Sequence, residues 1–254
     1  MQLYIIRHGQ SYNNALWSRT GSGNGRLPDP PLTEIGQQQA VHLSRYIAEA
    51  DSAIIPDGGH NPHNRYGYHL THLYSSLMLR AVQTGHVLAE SLNMTLQAWP
   101  IIHEWGGIFE YDPESGEPVT QAGPNHAFFS ERFANLLLPD DLGAEGWWGK
   151  RPFETESATY ERAKQFVSQL LQRHGDSDDR VGIVTHGGFT SMIFASSSAL
   201  RKSTIPYARK PPTLMLVNNN TALTRLDIED DQITLVYLNR LDHFAGKPHY
   251  LVRN

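Results

Sequence analysis

The chain has 254 residues, 21 Lys and Arg against 26 Asp and Glu, and a formal net charge of -5. That length can bury a real core as one large domain or two small ones, and the negative balance gives no general footprint for nucleic acid or an anionic membrane. Cysteine is absent, which excludes disulfides, thiol catalysis and thiolate metal sites.

Met1-Gln2 leads straight into Leu3-Tyr4-Ile5-Ile6, a short strand-like run that ends at Arg7. The run lacks the cationic start and the length of a secretory signal. No apolar stretch elsewhere approaches membrane length, so the expected location is the cytoplasm. Further strands are predicted at His72–Ser75, Val181–Thr185, 214–217 and Ile233–Leu238. Helices lie between them. After Thr33, a fitting N-cap, the set Gly36, Ala40, Leu43, Ile47 and Ala50 recurs at helical spacing. Val82, Gly85, Ala89 and Leu92 do the same after Arg80, as do Tyr160, Ala163, Val167 and Leu170 after Ser157. A fourth helix is expected from Gly188 toward 199. Strands alternating with helices predict an α/β fold, a three-layer α/β/α sandwich around a mainly parallel sheet. Two stretches interrupt the alternation, 52–70 and 106–153, both rich in Gly and Pro. The expected organisation is a single domain, residues 1–254, with the second insertion acting as a lid over the site.

The ends of the strands carry the chemistry. The first ends in Arg7-His8-Gly9-Gln10-Ser11, with Asn14 close behind. Ligands of open parallel sheets bind beyond the carboxyl ends of strands, and a cation, an imidazole and a glycine there suit an anion. A second strand ends in Thr185-His186-Gly187-Gly188, where Gly187 lets the backbone approach an anion and a helix start offers free N–H groups. A third ends in Ser75-Ser76 and leads to Arg80, whose planar fork can clamp phosphate oxygens. Glu104 follows in Ile101-Ile102-His103-Glu104, with Glu110 as the reserve carboxylate.

Taken singly, each residue has a plainer reading: a satisfied strand-end histidine, a surface arginine, a loop glutamate, or an Asn14 that only caps a helix. Two strands each delivering His-Gly to one sheet edge make that reading poor for the set. His60, His63, His69 and His72 fit no zinc spacing and read as solvated loop residues. The Gly21-Ser22-Gly23-Asn24-Gly25 stretch lacks the Lys and Ser/Thr of a P-loop and reads as a flexible segment near the site. Trp147-Trp148 reads as packing.

Arg7, His8, Arg80, Glu104 and His186, in this order and these contexts, resemble the histidine phosphatase superfamily, also called the phosphoglycerate mutase-like family. The likeness extends to Pro31-Leu32-Thr33-Glu34-Ile35-Gly36 with Gln39-Ala40, to Ser75-Ser76 with Arg80-Ala81 and Gln83-Thr84, and to Asn219, Thr221 and His243 near the end. Leu77 stands where the family often has Pro, and the run after Glu104 is compressed.

The resemblance implies a phosphomonoesterase that passes a phosphoryl group through His8. Arg7, Arg80 and a protonated His186 would stabilise the phosphoryl oxygens, helped by Asn14, Ser11 and the Gly187 N–H, and Glu104 would be the general acid. It implies a small phosphorylated substrate and no metal or cofactor, since Arg and His supply the positive charge. No nucleic-acid or membrane partner is expected, and a homodimer is compatible with the sequence. The rival activity is a mutase, which needs extra basic residues over the pocket; the stretch 104–135 offers one, Arg132. A non-catalytic phospholigand-binding protein is the third alternative.

Overall fold

A computed structural model of the chain describes residues 1–51, 61, 63–196, 216–230 and 232–252. In chain order the elements are β1 (Gln2–Arg7), α1 (Tyr12–Thr20), α2 (Glu34–Asp51), β2 (His72–Ser75), α3 (Leu79–Leu92), β3 (Leu96–Ala98), β4 (Phe109–Tyr111), β5 (Pro118–Thr120), α4 (His126–Arg132), β6 (Leu136–Leu137), α5 (Glu156–His174), β7 (Arg180–Thr185), α6 (Gly187–Ser196), β8 (Leu223–Glu229) and β9 (Gln232–Arg240). Seven strands form one sheet in the order β6-β3-β2-β7-β1-β8-β9, and β4 and β5 make a separate ribbon. The first five sheet strands run parallel; β8 is antiparallel to β1, and β9 to β8.

The central strands are buried on both faces because their residues are apolar without alternation. Along β1, Tyr4 and Ile6 join a core with Leu43 and Ile47 of α2 and Val82 and Leu88 of α3. Leu3 and Ile5 point to the opposite core, with Phe166 and Leu170 of α5 and Phe189 and Ile193 of α6. Helices therefore cover both faces, and the three-layer α/β/α arrangement follows from this period-two split of one strand.

The sheet register sets the site. Arg7 lies opposite Thr185, and Ser75 lies opposite Val184. His8, His186 and Ser76 thus leave neighbouring parallel strands at one carboxyl edge.

One expectation needs correction. The apolar run at 214–217 is not a strand where it is described: Leu216 and Val217 are irregular, and 214 and 215 lie outside the described residues. The pairing strand is β8, whose buried Thr224 and Arg225 disguise it as polar; Arg225 is neutralised by Asp227 at 2.7 and 2.8 Å. The helix after His186 is described from Gly187 to Ser196, and its expected continuation to 199 lies outside the described residues. Of the first insertion, 61 and 63–70 are described and contain no helix or strand. The second insertion holds β4, β5, α4 and β6, and it buries Phe129, Phe133, Leu136, Trp147 and Trp148 in the first core. Among the described residues, no helix is long and apolar enough to cross a membrane.

Candidate active site

His8 follows β1 directly, and its backbone N–H bonds the Thr185 carbonyl at 3.0 Å, tying it to the neighbouring strand. The side chain is almost wholly buried. Its Nδ1 lies 2.6 Å from the Gly9 carbonyl. A carbonyl can only accept, so Nδ1 carries the proton and the lone pair resides on Nε2. The Arg80 Nε–H donates to that Nε2 at 3.2 Å. The ring is thereby held in one tautomer and one direction. The Gly9 N–H donates to Thr84 Oγ1 at 3.0 Å, and Thr84 Oγ1 donates to the Arg80 carbonyl at 2.8 Å, so the His8 loop and α3 are locked together.

Arg80 is buried, and its guanidinium faces Asp29 at 3.7 Å. Asp29 also accepts the Leu79 N–H at 3.1 Å, at the start of α3. His186 is fully buried, its ring centroid 5.0 Å from that of His8. Its Nε2 is 3.0 Å from Ser76 Oγ, while Nδ1 has no protein partner. Arg7 donates one terminal N–H to the Asn218 carbonyl, and its Nε has no partner. Asn14 and Ser11 form a reciprocal capping box on α1. Asn14 Oδ1 also accepts from Asn220 Nδ2 at 3.2 Å, and Asn220 donates to the His8 carbonyl at 3.1 Å. Gly187 opens α6 beside Arg7; a Cβ there would lie 3.5 Å from Arg7 Nε.

Glu104 arrives from a different direction. Its Oε2 accepts the Gly188 N–H at 3.1 Å, and Oε1 accepts those of Phe189 and Trp105 at 2.9 Å each. The side chain thus caps the first turn of α6, taking up N–H groups that have no partner within the helix. Any side chain at Gly188 would collide with it, since a Cβ would lie 2.6 Å from Oε1. The loop that carries Glu104 is clamped by Arg162 of α5. Arg162 donates to the carbonyls of Ile101 at 2.6 Å and His103 at 2.9 Å, and it forms a two-pronged pair with Glu154 at 2.7 and 2.6 Å.

Burial dominates the electrostatics. His8 is held well below the usual imidazole range, first by burial, then by Arg80 and Arg7. His186 is depressed in the same way by burial and by Arg80, which favours the neutral ring. The expectation of an imidazolium there neglected the cost of charging a fully buried ring beside a guanidinium. Burial also pushes Asp29 up to about 6, against the pull of Arg80, and lowers Arg7 to about 10.

The structure therefore brings together Arg7, His8, Arg80, His186, Glu104, Asn14, Ser11 and Gly187. Glu110 is not among them: it lies on β4 and accepts from Gln121 at 2.8 Å across the ribbon. Sequence reasoning missed Asp29, Asn220 and Arg162, and named Ser76 and Thr84 only as parts of the resemblance; all five hold the others in place. Asp29 has a readable signal, an acid beside two prolines just before a helix cap. Arg162 has none, being one arginine on an amphipathic helix. His72 joins His174 and Asp179 rather than its sequence neighbours, with His174 Nδ1 2.8 Å from Asp179.

Comparisons with known proteins agree with this geometry. The family model of the histidine phosphatase superfamily (branch 1) matches residues 3–56 and 63–241. A 2,3-bisphosphoglycerate-dependent phosphoglycerate mutase of Mycobacterium bovis is 27% identical over 175 residues, covering 68% of this chain and 55% of the mutase. A mutase of the same name from Latilactobacillus sakei matches over 34% of its own length, so the matches span about a third to a half of these curated relatives. Among solved structures, mycobacterial glucosyl-3-phosphoglycerate phosphatase superposes with a TM-score of 0.53 at 21% identity, covering 94% of this chain and 99% of that one. Phosphoserine phosphatase of Entamoeba histolytica, in complex with phosphoserine, gives 0.53 at 17% identity, covering 95% and 98%. With the family model spanning the sheet, both His-Gly strand ends and Arg80, this chain belongs to the histidine phosphatase superfamily.

Proposed function

We propose that the protein is a metal-independent phosphomonoesterase that hydrolyses a small phosphorylated metabolite through a phosphohistidine on His8. The observation that carries this reading is the state of the His8 ring: neutral, proton fixed on Nδ1, and Nε2 aimed into a pocket of cations. A neutral imidazole with a directed lone pair is a nucleophile; an imidazolium is not.

In the first step Glu104 enters as the carboxylic acid: Nε2 attacks phosphorus, the bond to the ester oxygen breaks, and Glu104 delivers its proton to the departing alkoxide, becoming the carboxylate. Arg7, Arg80 and Asn14 stabilise charge on the equatorial oxygens, and the unpartnered His186 Nδ1 and Arg7 Nε supply donors the protein leaves unused. In the second step Glu104 takes a proton from water, the water oxygen attacks phosphorus, and the P–N bond breaks to return neutral His8. Covalent catalysis splits one hard displacement into two easier ones.

Hydrolysis is favoured over the mutase reaction by where the basic residues of the insertion are spent. Arg132 stacks on Phe128 and pairs with exposed Glu131. Arg151 stacks on Trp148 and donates to the carbonyls of Trp147 and Trp148. These two are committed within the insertion itself, and the third basic residue, Lys150, is exposed. The test is steady-state hydrolysis of a panel of phosphomonoesters without metal, with 3-phosphoglycerate isomerisation assayed alongside. Phosphate release that disappears in His8→Ala supports the reading. Isomerisation with little phosphate release would replace it by a mutase, and retained phosphate binding without turnover by a binding protein.

A further inference from the structure

One cation beside the site has no role in the chemistry above. Arg26 stands in the connection between α1 and α2, and its position is built rather than incidental. Asn13 on α1 grips the next residue, Leu27, through two reciprocal bonds: Asn13 Nδ2 donates to the Leu27 carbonyl at 2.8 Å, and the Leu27 N–H donates to Asn13 Oδ1 at 2.9 Å. The Arg26 N–H closes a turn onto the Gly23 carbonyl at 3.1 Å. Gly23 itself lies against Tyr111 so closely that a Cβ would be 3.2 Å from the ring. The segment expected to be flexible is thus fastened to α1 on one side and to β4 on the other.

The Arg26 guanidinium lies flat on the buried Phe109 ring, 3.6 Å from its centroid. Stacking occupies one side of the group; one of its N–H donors is taken by the Tyr111 hydroxyl, and the remaining ones are available to a ligand. Apart from Arg7, which serves the chemistry, the fully buried arginines have carboxylate partners: Arg80 has Asp29, Arg162 has Glu154 and Arg225 has Asp227. Among the described residues none pairs with Arg26, and its buried Nε has no hydrogen-bond partner. Its charge is close enough to Arg80 and Glu104 for each to act on it. It lines a cavity of about 360 Å³ together with Asn14, Trp17 and Tyr111, so the cavity adjoins the site at Asn14. The two aromatic rings are half exposed there. This cavity can therefore take the alcohol part of an ester whose phosphate lies in the site.

We infer that Arg26 binds a second anionic group on the alcohol portion of the substrate, making the enzyme selective for phosphomonoesters that carry a carboxylate or a further phosphate. The inference rests on the phosphomonoesterase reading for its context but not for its test. Binding is measured by calorimetry in a His8→Ala background, which prevents turnover, for two matched pairs. One pair is 3-phosphoglycerate and glycerol 1-phosphate, which tests a carboxylate; the other is fructose 1,6-bisphosphate and fructose 6-phosphate, which tests a second phosphate. At least one member carrying the second anionic group should bind about tenfold tighter than its match, the effect of one charge-assisted contact. Arg26→Met, which keeps apolar contact with Phe109, should remove that preference and leave the member lacking the second anionic group within about twofold, while Arg26→Lys should restore part of the preference. Equal losses on both members, a preference untouched by Arg26→Met, or no binding of any member would each overturn the inference. Turnover by the wild-type enzyme is scored separately. A binding preference without hydrolysis refutes the phosphatase reading and keeps Arg26; hydrolysis without preference does the reverse.

Discussion

Replacing Arg162 by Met asks whether the Glu104 loop is held from outside the site. Arg162 is buried and makes four bonds: two to the Glu154 carboxylate and one each to the carbonyls of Ile101 and His103. Methionine keeps most of the volume and none of the donors. The loss leaves a largely buried Glu154 charge without its partner, which costs about 3–5 kcal/mol, and frees the segment that aims Glu104 at the first turn of α6. A misplacement of about 1 Å at a reacting group lowers turnover by about 100-fold. Urea unfolding measures the first effect, and kcat for alkyl against aryl phosphates the second. If Glu104 protonates the leaving group, the loss should be greater for alkyl esters, as in Glu104→Gln, because an aryl oxide leaves without a proton. Adding Glu154→Gln should restore much of the stability without restoring kcat. Lower stability with unchanged kcat and unchanged leaving-group dependence would refute the idea that Arg162 positions Glu104.

Three further outcomes are expected. Gly188→Ala places a Cβ 2.6 Å from Glu104 Oε1 at an exposed position, so kcat should fall by roughly tenfold while unfolding free energy stays within about 0.5 kcal/mol; melting and kinetics on one preparation check both. His243 is buried and held at about 3, so the unfolded state takes up its proton first as pH falls, and the stability present above pH ~6.5 is lost on going down toward the folded value. His243→Gln should therefore flatten the pH dependence of unfolding free energy, by about 2 kcal/mol between pH 6.5 and 5; an unaltered slope would contradict this. Dialysis against EDTA should leave hydrolysis unchanged, and strong loss restored by a divalent ion would reopen a metal mechanism.

Much of this was legible in the sequence because the physics is local. β1 and β7 are continuous apolar runs that end in polar residues, so both the strands and the carboxyl-edge placement of His8 and His186 can be read directly. Arg80 is readable for the same reason, one turn beyond a strand. What could not be read depends on long-range pairing. β8 was hidden because Arg225 is buried yet satisfied by Asp227 two residues on, so it looks like a surface position. The protonation of His186 was misjudged because burial at a sheet edge leaves no mark in sequence. Asp29 and Arg162 reach the site from 51 and 58 residues away from Arg80 and Glu104 respectively, a distance no local pattern bridges. Arg26 sits in a glycine-rich stretch that reads as loose, and only the Asn13 and Tyr111 contacts reveal that it is fixed.

The central claim is that the phosphoryl group rests on His8 during turnover. Rapid acid-free quenching of the enzyme with a radiolabelled aryl phosphate, followed by peptide mapping, tests it most directly. The account predicts a phosphorylated peptide containing His8, stable in base, labile in acid, formed and lost at rates compatible with turnover, and absent in His8→Ala. Turnover with no label on His8, or label on another residue, would contradict it.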